Sequence, residues 1–222
     1  MVAGGCYHVI NRGNNRSDVF LSPSDYLAFV ALIAQAQRRI RLSILAACLM
    51  PNHFHLVILQ SAANDASRWM QWLLTTFSHR HHRRHGTCGR LWQGRFKAFP
   101  IEQDAHLLTV IRYVERNALR ARLVRHAEDW PWGSLAWRQL DSHQILTPPP
   151  VRMPNDWLAW VNAPQTAAEL SALRECVNRQ RPFGSETWTL DSAGDLGLQS
   201  SLRKSGRPRK HADQATRLSH RC

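Results

Sequence analysis

At 222 residues the chain has room for one domain with a real core plus an appendage, and too little for two full domains. Its 29 Lys and Arg against 16 Asp and Glu leave a net charge of +13, which points to a polyanionic partner, nucleic acid before an anionic membrane surface. There is no apolar run long enough for a membrane span, no signal-peptide layout and no C-x-x-C pair among the five cysteines, so no membrane is expected and a reducing cytosol is.

The first element is "CYHVIN" (6–11), rich in β-formers and followed by the turn-prone "RGNNR", which reads as a strand with a basic loop after it. "SPSD" (22–25) follows as a helix start, with Ser22 as cap, Pro23 at the first helical position and Asp25 three residues after the cap. The helix it opens ends near Arg38 and Arg39. Two β-rich runs, "RLSILAACLM" and "HFHLVILQ", are separated only by Pro51 and Asn52, a hairpin signal. A longer helix is predicted over 66–84, a short strand over "RFKAFPI" (95–101), and a helix over 104–124. The order β-α-β-β-α-β-α predicts an α+β fold: a ferredoxin-like antiparallel sheet with helices on one face, in a domain spanning 1–140.

Beyond it the composition changes. A proline-dense linker is expected over 141–156, centred on "TPPPVRMPND". A helical C-terminal extension over 157–190 follows, with a capping-box pattern at Thr166 and Glu169, and a flexible basic tail is expected over 191–222, containing "LRKSGRPRKH".

Chemistry concentrates in "MPNHFHLVIL". Successive strand residues point to opposite sides, so His53 and His55 share one face while Phe54 and Leu56 take the other. Two imidazoles side by side can chelate a divalent ion, which beside a basic surface suggests phosphate chemistry; the plainer alternative is a pair of hydrogen-bonded histidines on a wet sheet face. A nucleophile is also needed. Of three tyrosines, Tyr7 and Tyr26 are explained by packing. Tyr113 lies about a quarter-turn off the apolar stripe of its helix, with Asn117 one turn further on the same flank. It can present a phenol there, or simply snorkel at the rim of the core.

Between the metal-strand and tyrosine-helix candidates, residues 66–101 contain no Asp or Glu. Arg80, Arg83, Arg84, Arg90, Arg95 and Lys97 lie there with four histidines, as a DNA backbone would require. Arg12, Asn14 and Arg16 in the first loop are further DNA-contact candidates, as are Arg207 and Arg209 in the "GRPRK" tail. Trp69, Trp72 and Trp92 offer stacking surfaces, although tryptophans at helical spacing are more often core.

"YHVINRGNNR", "LMPNHFHLVI", "LWQGRFKA" and "RYVERNALRARLV", in this order, resemble the tyrosine transposase family of the HUH single-strand DNA nucleases. "RPFGSETW" and "GRPRK" resemble the subgroup associated with repetitive extragenic palindromes (REP elements) in bacterial genomes. The resemblance implies His53, His55 and Asn117 as ligands of Mg2+ or Mn2+, and Tyr113 as the nucleophile forming a 5′-phosphotyrosine. Its substrate would be single-stranded DNA with a hairpin, its location the bacterial cytoplasm and nucleoid, and it needs no small-molecule cofactor. No motif chooses between monomer and homodimer. Where the family often has proline after the Asn, this chain has Ala118. A non-catalytic nucleic-acid-binding protein on the same scaffold is the alternative; a zinc hydrolase would want more ligands at recognisable spacing.

Overall fold

The structure, a computed structural model, describes residues 1–140 and 145–203. Four strands, β1 (Cys6–Arg12), β2 (Leu42–Met50), β3 (His53–Gln60) and β4 (Lys97–Ile101), pair antiparallel in the order β2-β3-β1-β4. The Pro51-Asn52 turn closes the β2–β3 hairpin and sets Met50 opposite His53. Between β1 and β2 runs α1 (Pro23–Arg39), opened by the expected capping box. The Asp25 carboxylate accepts from the Leu21 and Ser22 backbone amides and the Ser22 hydroxyl. Between β3 and β4 runs α2 (Asp65–His85), closed by Gly86 in the left-handed region.

Then come α3 (Ala105–Glu115) and α4 (Asn117–Arg120), separated only by Arg116, whose φ of −80° and ψ of −4° are themselves helical. With Ala118 in place of proline, the helix runs on past Tyr113 and Asn117.

Helices cover both faces of the sheet rather than one. Tyr7, Val9, Phe54, Leu56 and Ile58 pack with α1 and α2, while Cys6, Val57, Phe99 and Ile101 pack with α3. The physical reason is visible in β3: beyond His55 it reads Leu-Val-Ile-Leu, apolar at successive positions, the pattern of a strand buried on both sides. At Ile44 to Ala46 the β2 register slips, and Leu45 and Ala46 both join the α3-side core.

The C-terminal segments are α5 (Ser134–Gln139), α6 (Trp157–Asn162), α7 (Ala167–Arg179), α8 (Glu186–Asp195) and α9 (Gln199–Leu202). Trp157, Val161, Leu173 and Cys176 share one apolar cluster with α3. The expected linker is not a bare spacer: Ile145 is buried and Leu146 bridges to Ile44 beside β2. Phe183 bridges to Ile101 beside β4, so each edge of the sheet meets a later stretch of chain. Residues 191–203, placed by composition in the tail, include the end of α8 and all of α9; the rest of the expected tail, with Arg207 and Arg209, lies outside the described residues. Among the described residues no helix is long and apolar enough to cross a membrane.

Candidate active site

His53 and His55 enter the site from the start of β3, their ring centres 5.0 Å apart. His53 is half-buried, and its Nδ1 lies 2.6 Å from Asn52 Oδ1, which fixes the proton on Nδ1 and leaves Nε2 a bare lone pair. His55 is only 3% exposed, because its face of the sheet is roofed by α3. Its Nδ1 sits 2.8 Å from Nε2 of His8, a fully buried residue of β1 that stacks on it. In the ligand-competent tautomer, His55 Nδ1 donates to His8 Nε2 and His55 Nε2 is free.

Burial keeps these rings neutral. It is the main cause pushing His8 down to about 3, assisted by the charge of Arg120. The same cause, with Arg12 and Arg120, pushes His53 down to about 4, and His55 is held well below the usual histidine range by burial and then its neighbours His8 and His53. Neutral imidazole is the form that binds metal.

Tyr113 faces this cluster from α3, its ring centre 5.9 Å from that of His55 and 6.3 Å from that of His8. Among the described residues its hydroxyl has no hydrogen-bond partner. Asn117, 4% exposed, accepts at Oδ1 from Arg120 Nη2 at 3.0 Å and keeps a second lone pair there for a cation. Two bare imidazole nitrogens and an amide oxygen form a neutral donor set able to hold a divalent cation weakly.

The tyrosine helix is tied down from its far side. Arg112, 4% exposed, donates to the carbonyls of Trp160, Ala163 and Pro164, and Arg116 donates to those of Val161 and Asn162. Both guanidiniums thus serve the unpaired carbonyls at the end of α6. Glu115, 2% exposed, receives Ser134, Arg138 and Trp157.

The DNA-contact candidates divide by position. Arg12 pairs with His53 across the β1–β3 ladder and lines a cleft of about 290 Å3 with Arg95 and Lys97. A second cleft, about 890 Å3, lies toward α2 and shares Gly94, Arg95 and Lys97 with the first, so basic side chains pass around the edge strand β4. Asn14 and Arg16 sit in a turn beside this track, with the Asn14 amide bonded to the Leu91 carbonyl. Arg80, Arg83 and Arg84 are exposed at the end of α2 and Arg90 follows it. Trp69 and Trp92 are core; Trp72 is half-buried under Arg39, 4.9 Å away.

His8 and Arg120 escaped the sequence reading, although both left a signal. His8 alternates with Cys6 and Ile10 on the face of β1 that meets His55, and Arg120 follows Asn117 by three residues and Tyr113 by seven, along one helical edge. A separate group, Glu102, Asp104 and His106, brings potential ligand atoms within 4.8 Å of one another. Its oxygens already serve as caps: Glu102 accepts from Ser185, and Asp104 from the His106 amide at the start of α3.

Residues 2–117 match the family described as "Transposase IS200 like". Among solved structures the chain is similar to one described as "Structure of the REP associates tyrosine transposase bound to a REP hairpin", with a TM-score of 0.53 and 20% identity over 75% of this chain and 95% of that one. It also aligns with a "putative transposase from deinococcus radiodurans r1", at a TM-score of 0.38 and 16% identity, over 44% of this chain and 79% of that one. No curated protein matches it. The first of these structures has the same fold, an α+β arrangement on a four-stranded antiparallel sheet. The family match begins ahead of β1 and ends at Asn117, so it takes in both histidines of β3 and the tyrosine: this chain belongs to the IS200-like transposases, enzymes that cleave and join DNA.

Proposed function

We propose that the protein is a metal-dependent endonuclease and strand transferase that cuts and rejoins single-stranded DNA at hairpin-forming palindromic repeats through a 5′-phosphotyrosine at Tyr113. The observation that carries this reading is the approach of the Tyr113 phenol to the His53–His55 pair, from an element sixty residues away in the chain, with its hydroxyl unengaged. That a relative of the same fold was solved with a REP hairpin supports the hairpin as substrate. Acting on such DNA, the enzyme would work at the nucleoid, in the cytoplasm of a bacterium.

In the reaction, the Tyr113 oxygen bonds to phosphorus, the bond from phosphorus to the 3′ oxygen breaks, and that oxygen leaves as a hydroxyl carrying the proton the phenol gives up. A later 3′-hydroxyl reverses the exchange and reseals the strand, because the phosphotyrosyl bond conserves the phosphodiester energy. His53, His55 and Asn117 would hold a divalent ion, Mg2+ or Mn2+, which when bound would supply Lewis-acid polarisation of a phosphoryl oxygen. Asn52 and His8 orient the two imidazoles, Arg112 and Arg116 fix the tyrosine helix, and Arg12, Arg95 and Lys97 hold the strand on either side of the cut.

The test is a denaturing gel. A single-stranded hairpin oligonucleotide incubated with Mn2+ should yield a covalent protein–DNA adduct, and Tyr113→Phe should yield none. Wild-type protein that binds the hairpin without ever forming an adduct would reduce the activity to binding alone.

A further inference from the structure

Two donors beside the nucleophile have nothing to donate to. Arg120 stacks over the Tyr113 ring, its guanidinium carbon 4.1 Å from the ring centre, and one arm, Nη2, holds Asn117 Oδ1. The other arm, Nη1, is sealed from solvent without an acceptor, and so is Asn117 Nδ2. Burying an unpaired guanidinium arm costs more than burying an unpaired neutral amide, so the fold retains this arrangement against a penalty. The acidic residue nearest it along this helix, Glu115, is consumed by Ser134, Arg138 and Trp157, and among the described residues Arg120 has no carboxylate partner. The charge of Arg120 is also felt at His8, His53 and His55, which places it on the histidine side of the phenol. A cation held in place by the ring of the nucleophile, with a free donor next to a second free donor, is complementary to an anion.

We propose that Arg120 is a catalytic residue: its Nη1, with Asn117 Nδ2 beside it, receives a non-bridging oxygen of the scissile phosphate as Tyr113 attacks. This rests on the strand-cleaving reading above. As the Tyr113 oxygen bonds to phosphorus and the 3′ oxygen departs, negative charge grows on the non-bridging oxygens, and a preorganised donor there stabilises the transition state more than the bound substrate. Arginine suits the position because its rigid fork serves Asn117 with one arm and the phosphate with the other, while its plane lies on the phenol. A lysine has one ammonium and no plane.

The experiment follows single-turnover adduct formation on a hairpin oligonucleotide, either unmodified or carrying one stereopure phosphorothioate at the cleaved linkage. Wild type is compared with Arg120→Gln and Arg120→Lys. Arg120→Gln should slow adduct formation by about 10²–10³-fold while hairpin affinity hardly changes. One phosphorothioate diastereomer should slow the wild type yet add no further slowing to Arg120→Gln, because the contact it disturbs is already gone. Arg120→Lys should recover only part of the rate. The assignment is overturned if Arg120→Gln matches the wild type. It is equally overturned if Arg120→Gln is slow but keeps the full wild-type penalty for both diastereomers, which would make Arg120 a positioning residue. Should Arg120→Gln fail to fold by its melting temperature, the diastereomer pattern of Arg120→Lys decides in the same way. No adduct from the wild type on the unmodified hairpin removes the strand-cleaving reading itself, an outcome distinct from a wild type and an Arg120→Gln that react alike.

Discussion

The two faces of the sheet are both buried, yet they are built from different materials. On the α1–α2 face the contacts are rings: Phe29 meets Phe54 at 5.2 Å and Phe77 at 5.0 Å, and Phe54 meets Trp92 at 5.5 Å. On the α3 face the sealed residues include His8, His55, Arg112, Glu115 and Asn117. Apolar burial stabilises; polar burial costs unless each group is paired. Glu115 and Arg112 are paired to structural partners, whereas donors of Asn117 and Arg120 and one nitrogen of His8 are not. The contrast teaches that both faces carry an apolar core but only the α3 face adds a sealed cluster of polar groups left partly unpaired, with β3 serving both through alternate side chains.

The largest test of that division is Tyr113→Phe. Because the hydroxyl makes no hydrogen bond among the described residues, its removal should leave the melting temperature unchanged while adduct formation falls by more than about 10³-fold, as expected for loss of a nucleophile. A substantial drop in melting temperature would mean that the phenol is part of the scaffold after all. The complementary change is Phe54→Ala on the opposite side of the same strand. It should cost about 3–5 kcal/mol of stability, measured by urea unfolding, while protein that remains folded keeps its cleavage rate. A folded Phe54→Ala enzyme that has lost cleavage would show that the faces are coupled.

How much of this was legible depends on the range of the interactions. The capping box at Ser22 and Asp25 and the Pro51-Asn52 hairpin are local and stand in the letters. So does the Tyr113–Asn117 spacing, because i and i+4 share a helix edge whatever surrounds them. The roof over His55 does not stand out, since alternation places His53 and His55 on one face without saying whether that face is wet or covered, and only the unbroken Leu-Val-Ile-Leu of β3 points to cover. Arg112 reads as an ordinary polar position on an amphipathic helix; its carbonyl partners lie 48 to 52 residues away, and no local pattern announces them. His8 sits in a strand read as packing, and its role depends on the β1–β3 pairing, in which Val9 faces Leu56 and Ile10 faces His55.

Acid should act on the buried histidines of the α3 face before it acts on Asp25. His8 and His53 are held at about 3 and about 4 in the fold, against about 6.5 in the unfolded chain. Between those values the unfolded state binds more protons, so stability is full above about pH 6.5 and declines as pH falls toward the folded values. Burial alone would raise the pKa of Asp25 on the other face, but hydrogen bonds from His85, Ser22 and Leu21 outweigh it and hold the group below the ordinary range; its contribution therefore persists until lower pH. Urea unfolding at a series of pH values should show the decline begin near pH 6.5, with a shallower slope in His8→Gln. A flat profile down to pH 4.5 would mean that the histidines are not held neutral by the fold.

The smallest expected effect concerns Arg84, where scaffold and DNA surface meet. Its Nε lies 3.6 Å from Asp25 Oδ1, but its side chain is 47% exposed, and the same carboxylate is already held by two backbone amides, the Ser22 hydroxyl and His85. An exposed ion pair that duplicates better-placed partners contributes about 0–1 kcal/mol, so Arg84→Gln should scarcely move the melting temperature. If the end of α2 lies along the strand, the same substitution should lower the log–log salt slope of single-strand binding by about 0.7, one phosphate contact. An unchanged slope with unchanged stability would take Arg84 off the DNA path and confine the strand to the Arg12–Arg95–Lys97 track around β4.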